Sequence, residues 1–390
     1  MTSTPVRLDG LTVLDLSSVG PAARCSRILA DYGATVVKVL PPPGKQGVQI
    51  QPPFFVYSAQ RAMKRVHIDL KAPEGRAAFL RLAAAADVVI ESYRPGVAAR
   101  LGIGWEELRR VNRRVVYCST TGYGQDGPYA AWAGHDLDYL AVGGYLACSG
   151  PRADGGPPIP GATVADAAGG GMHAAIAILA ALVRRAATGE GAYLDVSVTE
   201  GVLYLTSLWI DQHFATGEQP GPGHDILTGR YACYDLYRAR DGRWLAVAAI
   251  EPAFWANLCR ALGLEQWTPH QTDDARQDEI RSALRAAFAA RDRDEWVAAL
   301  AAADTCVAPV HSVAELTESP HFRERRAFVE ATHPTHGKLS QVGPVLAGAD
   351  RARRSWELPD PAATDTEEVL RGVGLSAAEI EEMRQQGVVA

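Results

Sequence analysis

The chain lacks most of the signatures that would assign a sequence quickly. Its six cysteines (Cys25, Cys118, Cys148, Cys233, Cys259 and Cys306) are scattered over 390 residues, with no CxxC pair and no zinc-like His/Cys spacing. A redox dithiol and a zinc-finger-type centre are therefore excluded on spacing, and each cysteine reads as a small core hydrophobe. No excess of positive charge exists: the net charge is -6 and the pI is about 6.0. A general attraction to nucleic acid or to an anionic membrane is excluded with it, so an anionic ligand has to be held by a local basic cluster. The longest apolar run, Met172 to Val183, is interrupted by His173 and reads as too short to span a bilayer. Met1-Thr2-Ser3-Thr4-Pro5 has no charged leader followed by an apolar core, which gives a cytoplasmic reading. Internal repeats are missing too, and the only compositional bias is alanine on helix surfaces.

What is present is a well-stocked globular sequence, with 47% apolar and 22% charged residues and enough length for one large domain or two. Leu11 to Leu16, Ala34 to Leu40, Asp87 to Glu91 and Arg114 to Ser119 are short runs suited to strands. Helical patterns at Ala22 to Tyr32 and Glu74 to Ala85 lie between them, and a long buried helix follows Asp166. Strands alternating with helices predict an α/β fold with a mostly parallel, doubly wound sheet. The first βα turn is Ser17-Ser18-Val19-Gly20-Pro21 rather than GxGxxG, so the Rossmann-like alternation comes without a dinucleotide fingerprint. Tyr193 to Val198 reads as a further strand and Glu200 to Phe214 as a helix. Gly217 to Gly223 is the clearest linker. Beyond it, Asp241-Gly242 between two apolar runs marks a hairpin, and helices follow, so this part reads as a smaller α+β module. Ser312-x-x-Glu315, Thr364-x-x-Glu367 and Ser376-x-x-Glu379 have the form of capping boxes. The expected division is a large Rossmann-like domain over 1–200, a linker over 201–229, a small α+β domain over 230–320, and a return to the large domain over 321–390.

Three segments carry chemistry. His135 stands in Gly134-His135-Asp136, in a loop that follows a glycine-rich stretch past a strand end, where doubly wound folds bind ligands. Asp166 precedes Gly169-Gly170-Gly171 at the expected start of the long helix. A helix N-cap would account for the aspartate. It would not account for three glycines, which weaken a helix start and suggest close approach of a ligand to the backbone. Glu251, in Ile250-Glu251-Pro252, reads as a residue that complements the dipole of the next helix. Arg61, Lys64, Arg65 and Lys71, with Arg94 further on, form the basic cluster that could hold a phosphorylated ligand.

Taken in order, the segments Leu8-Asp9-Gly10-Leu11, Ala30-Asp31-Tyr32-Gly33-Ala34, Ile68-Asp69-Leu70-Lys71, Arg94-Pro95-Gly96, Thr121-Gly122-Tyr123-Gly124-Gln125, Gly134-His135-Asp136, Val164-Ala165-Asp166 and Ala249-Ile250-Glu251-Pro252 resemble the family III coenzyme A transferases, the CaiB/BaiF group. The match is strongest to the α-methylacyl-CoA racemase branch. The resemblance implies an interlocked homodimer, with each site formed between the large domain of one subunit and the small domain of its partner. It implies an acyl-CoA thioester as substrate, coenzyme A entering only as part of it, and no redox or metal cofactor. It also implies roles. In transferases the aspartate at Asp166 is a nucleophile that forms anhydride and acyl-CoA intermediates. In racemases it is a base, His135 faces it across the α-carbon, and Glu251 pairs with the histidine. Transferases generally lack that His and Glu, so their presence here favours an epimerase over a transferase or a catalytically silent homologue. Arg61, Lys64, Arg65, Arg94 and Tyr139 are the expected contacts to the CoA portion. One departure stands out: Leu40 and Pro41 occupy positions where racemases carry an acidic residue and often an arginine that touches the nucleotide.

Overall fold

The computed structural model describes residues 5–17, 19–45, 61–151, 154–353, 355–360 and 363–390. The chain divides into two compact units: residues 1–143, 160–205 and 320–390, and residues 144–159 and 206–319. The first unit is built on six strands: β1 Thr12–Asp15, β2 Thr35–Leu40, β3 Lys64–His67, β4 Val88–Glu91, β5 Val116–Thr121 and β6 Ala192–Ser197. All neighbours pair in parallel, in the order β3-β2-β1-β4-β5-β6. This is the doubly wound order, whose direction of winding reverses between β1 and β4. Its longer helices ahead of the C-terminal return are α1 Gly20–Asp31, α2 Pro73–Ala85, α3 Trp105–Val111, α4 Asp136–Val142, α5 His173–Thr188 and α6 Val198–Leu205.

Consecutive strand residues are buried because helices cover both faces. Val13, Val36, Val88 and Val116 pack with Cys25 and Leu29 of α1 and with Ala174 and Ile178 of α5. Their neighbours Leu14, Val37, Val89 and Tyr117 pack with Phe79 and Leu82 of α2, Leu108 of α3, and residues of the C-terminal segment. Removing each such side chain from water stabilises the fold by roughly 1.5–3 kcal/mol, which is why these strands read as unbroken apolar runs. Cys25, Cys118, Cys233 and Cys259 are buried as expected, whereas Cys148 is half-buried and Cys306 is exposed.

The second unit begins its long segment with α7 Ser207–Thr216. The single helix expected over Glu200 to Phe214 is therefore two, α6 and α7, and the boundary between the units lies between them. Strands β7 Tyr234–Arg238 and β8 Trp244–Ala248 form the predicted hairpin across Asp241-Gly242, with Gly242 at φ 81°. Strand β9 Val307–Pro309 adds to β8. Helices α8 Pro252–Leu262, α9 Gln277–Phe288 and α10 Arg293–Leu300 cover this sheet through Trp255, Leu284, Phe288 and Trp296.

The chain then returns to the first unit with β10 Phe328–His333, β11 Gly337–Val342 and β12 Ser355–Glu357, and with helices α11 Thr366–Arg371 and α12 Ala377–Gln385. Neither this small sheet nor β3 is evident in the sequence, because Lys64-Arg65-Val66-His67 reads as a charge cluster and not as an edge strand. The capping boxes at Ser312 and Ser376 form. The one expected at Thr364 does not: Asp365 occupies the cap position and the Thr364 hydroxyl accepts from the Thr366 N–H at 3.1 Å. The helix after Asp166 is also longer than the apolar run suggests. Ala165–Thr188 is continuous over 24 residues, long and apolar enough by composition to cross a membrane. Here its Ala174, Ala175, Ile178 and Ala181 face lies in the core.

Candidate active site

The first unit opens into a cleft of about 670 Å³ at the C-terminal ends of β1, β4 and β5. That is the switch point of the sheet, where the helices on either side diverge and leave a crevice. Val19 to Pro21 and Arg24 enter from the β1–α1 turn, Ser92 to Pro95 from the end of β4, and Thr120 to Tyr123 from the end of β5. His135, Tyr139, Thr163 and Asp166 line the same space. The size suits a ligand of cofactor dimensions.

Asp166 does not cap an α-helix. It is the second residue of a π-helical segment, Ala165–Met172, that runs into α5, and Val164 stands before it in helical conformation. Such wide turns cost hydrogen-bond geometry and are frequent at functional sites. The three glycines explain how this one is accommodated. A Cβ on Gly169 would lie 3.0 Å from the Val198 carbonyl oxygen, on Gly170 2.4 Å from Pro21 Cβ, and on Gly171 2.8 Å from Arg24 Cβ. From the other side, a Cβ on Gly201 of α6 would stand 1.8 Å from the Gly169 oxygen. The space the glycines leave is thus filled by α1 and α6. The ligand approach expected from the sequence gives way to helix–helix contact, and that contact presses the aspartate turn into the cleft wall.

The Asp166 N–H donates to Asp136 Oδ1 at 2.9 Å, which ties this turn to the first residue of α4. His135 is the N-cap of α4, and its N–H donates to Asp138 Oδ2 at 2.9 Å. Tyr139 fastens the loop from the other end: its hydroxyl donates to the Gly134 oxygen, and its ring fills the room above Gly122 and Gly134. A side chain at Gly122 would meet that ring at 2.4 Å. Tyr123 and Trp132 add an aromatic wall, edge to face at 6.0 Å, with Tyr129 stacked on Trp132 at 4.1 Å.

The electrostatics follow from this placement. Burial, and then the nearby Asp136 carboxylate, hold the Asp166 carboxyl above its ordinary range, while Arg24 and His135 act in the opposite direction. A raised carboxyl is a stronger base once ionised, which suits proton transfer near neutral pH. Burial, followed by the Tyr123 phenol, pushes Tyr139 up to about 12, so it remains a hydrogen-bond donor. Beneath the cleft, Lys38 Nζ donates to Asp15 Oδ2 at 2.8 Å and to the Ser17 carbonyl oxygen, and the Ser17 and Ser26 hydroxyls donate to the same carboxylate. This buried network fixes the β1–α1 turn that forms the floor. Glu91, also buried, accepts from the Tyr93 N–H at 2.7 Å and so anchors the turn that carries Arg94.

The expected site residues divide by location. His135, Asp166, Arg94 and Tyr139 are brought together in the cleft. Arg61 is not a free phosphate-holding group. It is buried, donates to Asp31 Oδ1 and to the Val342 oxygen at 3.0 Å each, and lies 4.6 Å from the Trp356 ring centre. Burial lowers its pKa to about 10. Arg65 is buried as well and donates to the Asp360 oxygen, while Lys64 pairs with Glu368 at 2.6 Å. These three fasten the returning C-terminal segment to the edge strand, because that segment brings carbonyls and acids to meet them. Leu40 closes β2, and the chain from residue 46 to 60 lies outside the described residues. Glu251 belongs to the second unit, where it is the exposed N-cap of α8 and Pro252 takes the first helical position, as read from sequence. Arg24 was not singled out from sequence, where it is one more arginine on a helix. Among the described residues no three His, Cys, Asp or Glu side chains gather as a metal ion would require.

Comparison with known proteins places this geometry in context. The CoA-transferase family III profile matches residues 8–365. Alpha-methylacyl-CoA racemase from Homo sapiens is 34% identical over 384 residues, covering 98% of this chain and 97% of that one. Succinyl-CoA:glutarate CoA-transferase from Mus musculus is 29% identical over 386 residues, covering 94% and 86%. A crystal structure of a CaiB/BaiF family protein from Brucella suis superposes with a TM-score of 0.76 at 26% identity, covering 95% of this chain and all of that one.

Proposed function

This chain belongs to CoA-transferase family III, and on that premise we propose that it is an acyl-CoA epimerase, interconverting (2R)- and (2S)-2-methylacyl-CoA thioesters. The observation that carries the reading is that an imidazole and a raised carboxyl, His135 and Asp166, share one cleft at the switch point of the sheet. A thioester carbonyl acidifies the hydrogen on the neighbouring carbon by accepting its electron pair as an enolate. In one direction the Asp166 carboxylate takes the α-proton, the C–H pair moves onto the carbonyl oxygen, and the His135 imidazolium returns a proton to the opposite face. In the other direction the roles exchange. Glu251, supplied by the partner subunit in an interlocked homodimer, would pair with His135 and favour its protonated form. Arg94 and Arg24 give the cleft the local positive charge that a CoA thioester needs in a chain of net charge -6.

The transferase reading has support of its own, since transferase relatives also match and Asp166 is the residue it would use covalently. Incubating a 2-methylacyl-CoA in heavy water separates the two. The epimerase incorporates deuterium at the α-carbon and scrambles configuration with no second substrate. Absence of α-exchange, with hydroxylamine-trappable acyl-enzyme in the presence of an acceptor acid, would replace the epimerase reading with the transferase.

A further inference from the structure

Arg24 reaches the aspartate turn in a way that its position in α1 does not announce. Its Cβ packs where Gly171 has no side chain, 2.8 Å from the point a Cβ would occupy there. Its Nη2 donates to Thr163 Oγ1 at 2.8 Å. Gly171 stands one π-helical turn beyond Asp166, and the Asp166 carbonyl oxygen lies 3.0 Å from that same Cβ point. Thr163 lies three residues before Asp166. The stem of Arg24 therefore packs one turn past Asp166 along the helix and its guanidinium is tied ahead of it, so its two anchors bracket Asp166. Both residues line the cleft.

We infer that Arg24 is a positioning residue for Asp166, laid along the π-helical turn so that its charge keeps the Asp166 side chain ionised and its bond to Thr163 holds the turn open to the cleft. The need for it follows from the neighbours. Asp136 accepts the Asp166 N–H and places a second carboxylate beside it, and burial adds to the cost of charge. Both favour the neutral form of Asp166, which cannot remove a proton, and a cation opposes them. The other ionisable groups lining the cleft or carried on the helices beside the turn include His135, Asp138 and Tyr139 from α4 and its cap, Tyr93 and Arg94 from the β4 end, Tyr123 from the β5 end, Glu200 and Tyr204 on α6, and His173 on α5. Of all of them, Asp136 disfavours the charged carboxyl while Arg24 and His135 favour it, and the Asp166 charge in turn raises Tyr139. Gly171 is part of the device, since any side chain there would displace the arginine stem.

The test titrates Asp166 directly, and only its activity readout rests on the epimerase reading. Protein carrying aspartate labelled with ¹³C in the side-chain carboxyl is titrated by NMR, with Asp166→Asn assigning the resonance. Removing a cation beside a carboxylate disfavours the ionised form, so in Arg24→Gln the Asp166 titration should move to higher pH. Arg24→Lys should stay near the parent, and Thr163→Val, which cuts the tie but keeps the charge, should not move it. Arg24→Met preserves the stem against Gly171 and serves if the Gln variant loses its fold. In turnover, the acid limb of kcat/KM should follow, with about threefold or more extra loss below the limb midpoint in the neutral variants. An Asp166 titration in the Gln or Met variant that overlays the parent would overturn the inference, whether or not the protein exchanges α-hydrogen. Absence of α-exchange in the parent with the titration shift intact would instead count against the epimerase reading alone.

Discussion

At the scale of single residues, the two candidate bases differ in surroundings as well as in chemistry. Asp166 is half-buried with its N–H held by Asp136, whereas His135 is exposed at a helix cap. If each serves one face of the substrate, removing one should leave the other able to act on its own side. His135→Ala is therefore expected to stop inversion, with a loss of roughly 10²–10⁴-fold, while α-deuterium still enters one epimer from the Asp166 side. Asp166→Asn should show the mirror pattern, followed by chiral analysis and NMR of recovered thioester. Equal loss of exchange for both epimers in both variants would show that the groups do not divide the faces. Sequence reading found these two because each sits beside unusual glycines. It missed Arg24, which has no such neighbour in the chain and reaches Asp166 only through the packing of α1. It also assigned Arg61 and Arg65 to the ligand, since a run of basic residues looks the same whether a phosphate or the chain's own C-terminal segment answers it.

Among the elements, the π-helical segment is the one that sequence periodicity describes least well. Its glycines looked like room for a ligand and proved to be room for α1 and α6. Gly201→Ala tests that account, because two effects compete there. Alanine in a helix gains about 1 kcal/mol in propensity over glycine. Against this, the new Cβ would lie 1.8 Å from the Gly169 oxygen, a backbone atom that cannot rotate away. Overpacking typically costs about 1–3 kcal/mol, so the net change should be destabilising despite the better helix former. Urea unfolding would show a lower midpoint; an unchanged or higher one would mean that the two helices are not pressed together there.

For the whole molecule, the division into two units has a functional consequence under the interlocked arrangement proposed above. His135 and Asp166 belong to one unit and Glu251 to the other. If a site takes its large unit from one subunit and its small unit from the partner, two inactive variants can repair each other. Co-expressed Asp166→Asn and Glu251→Ala chains should form mixed dimers with one intact site and recover activity that neither homodimer has. No recovery in isolated mixed dimers would place all three residues of a site in one chain.

The sequence by itself determined the alternation of strands and helices, the hairpin at Asp241-Gly242 and the family, because these depend on local periodicity, turn residues and the order of short segments. It placed His135 and Asp166 on the right elements for the same reason. Only the tertiary structure decided which charges meet. The small sheet β10–β12, the inward turn of Arg61 and Arg65, and the path of Arg24 along the aspartate turn all arise between segments far apart in the chain. Contacts of that kind leave no period in the sequence, since an arginine is written the same way whether its partner is solvent, a ligand or a carboxylate brought beside it by folding.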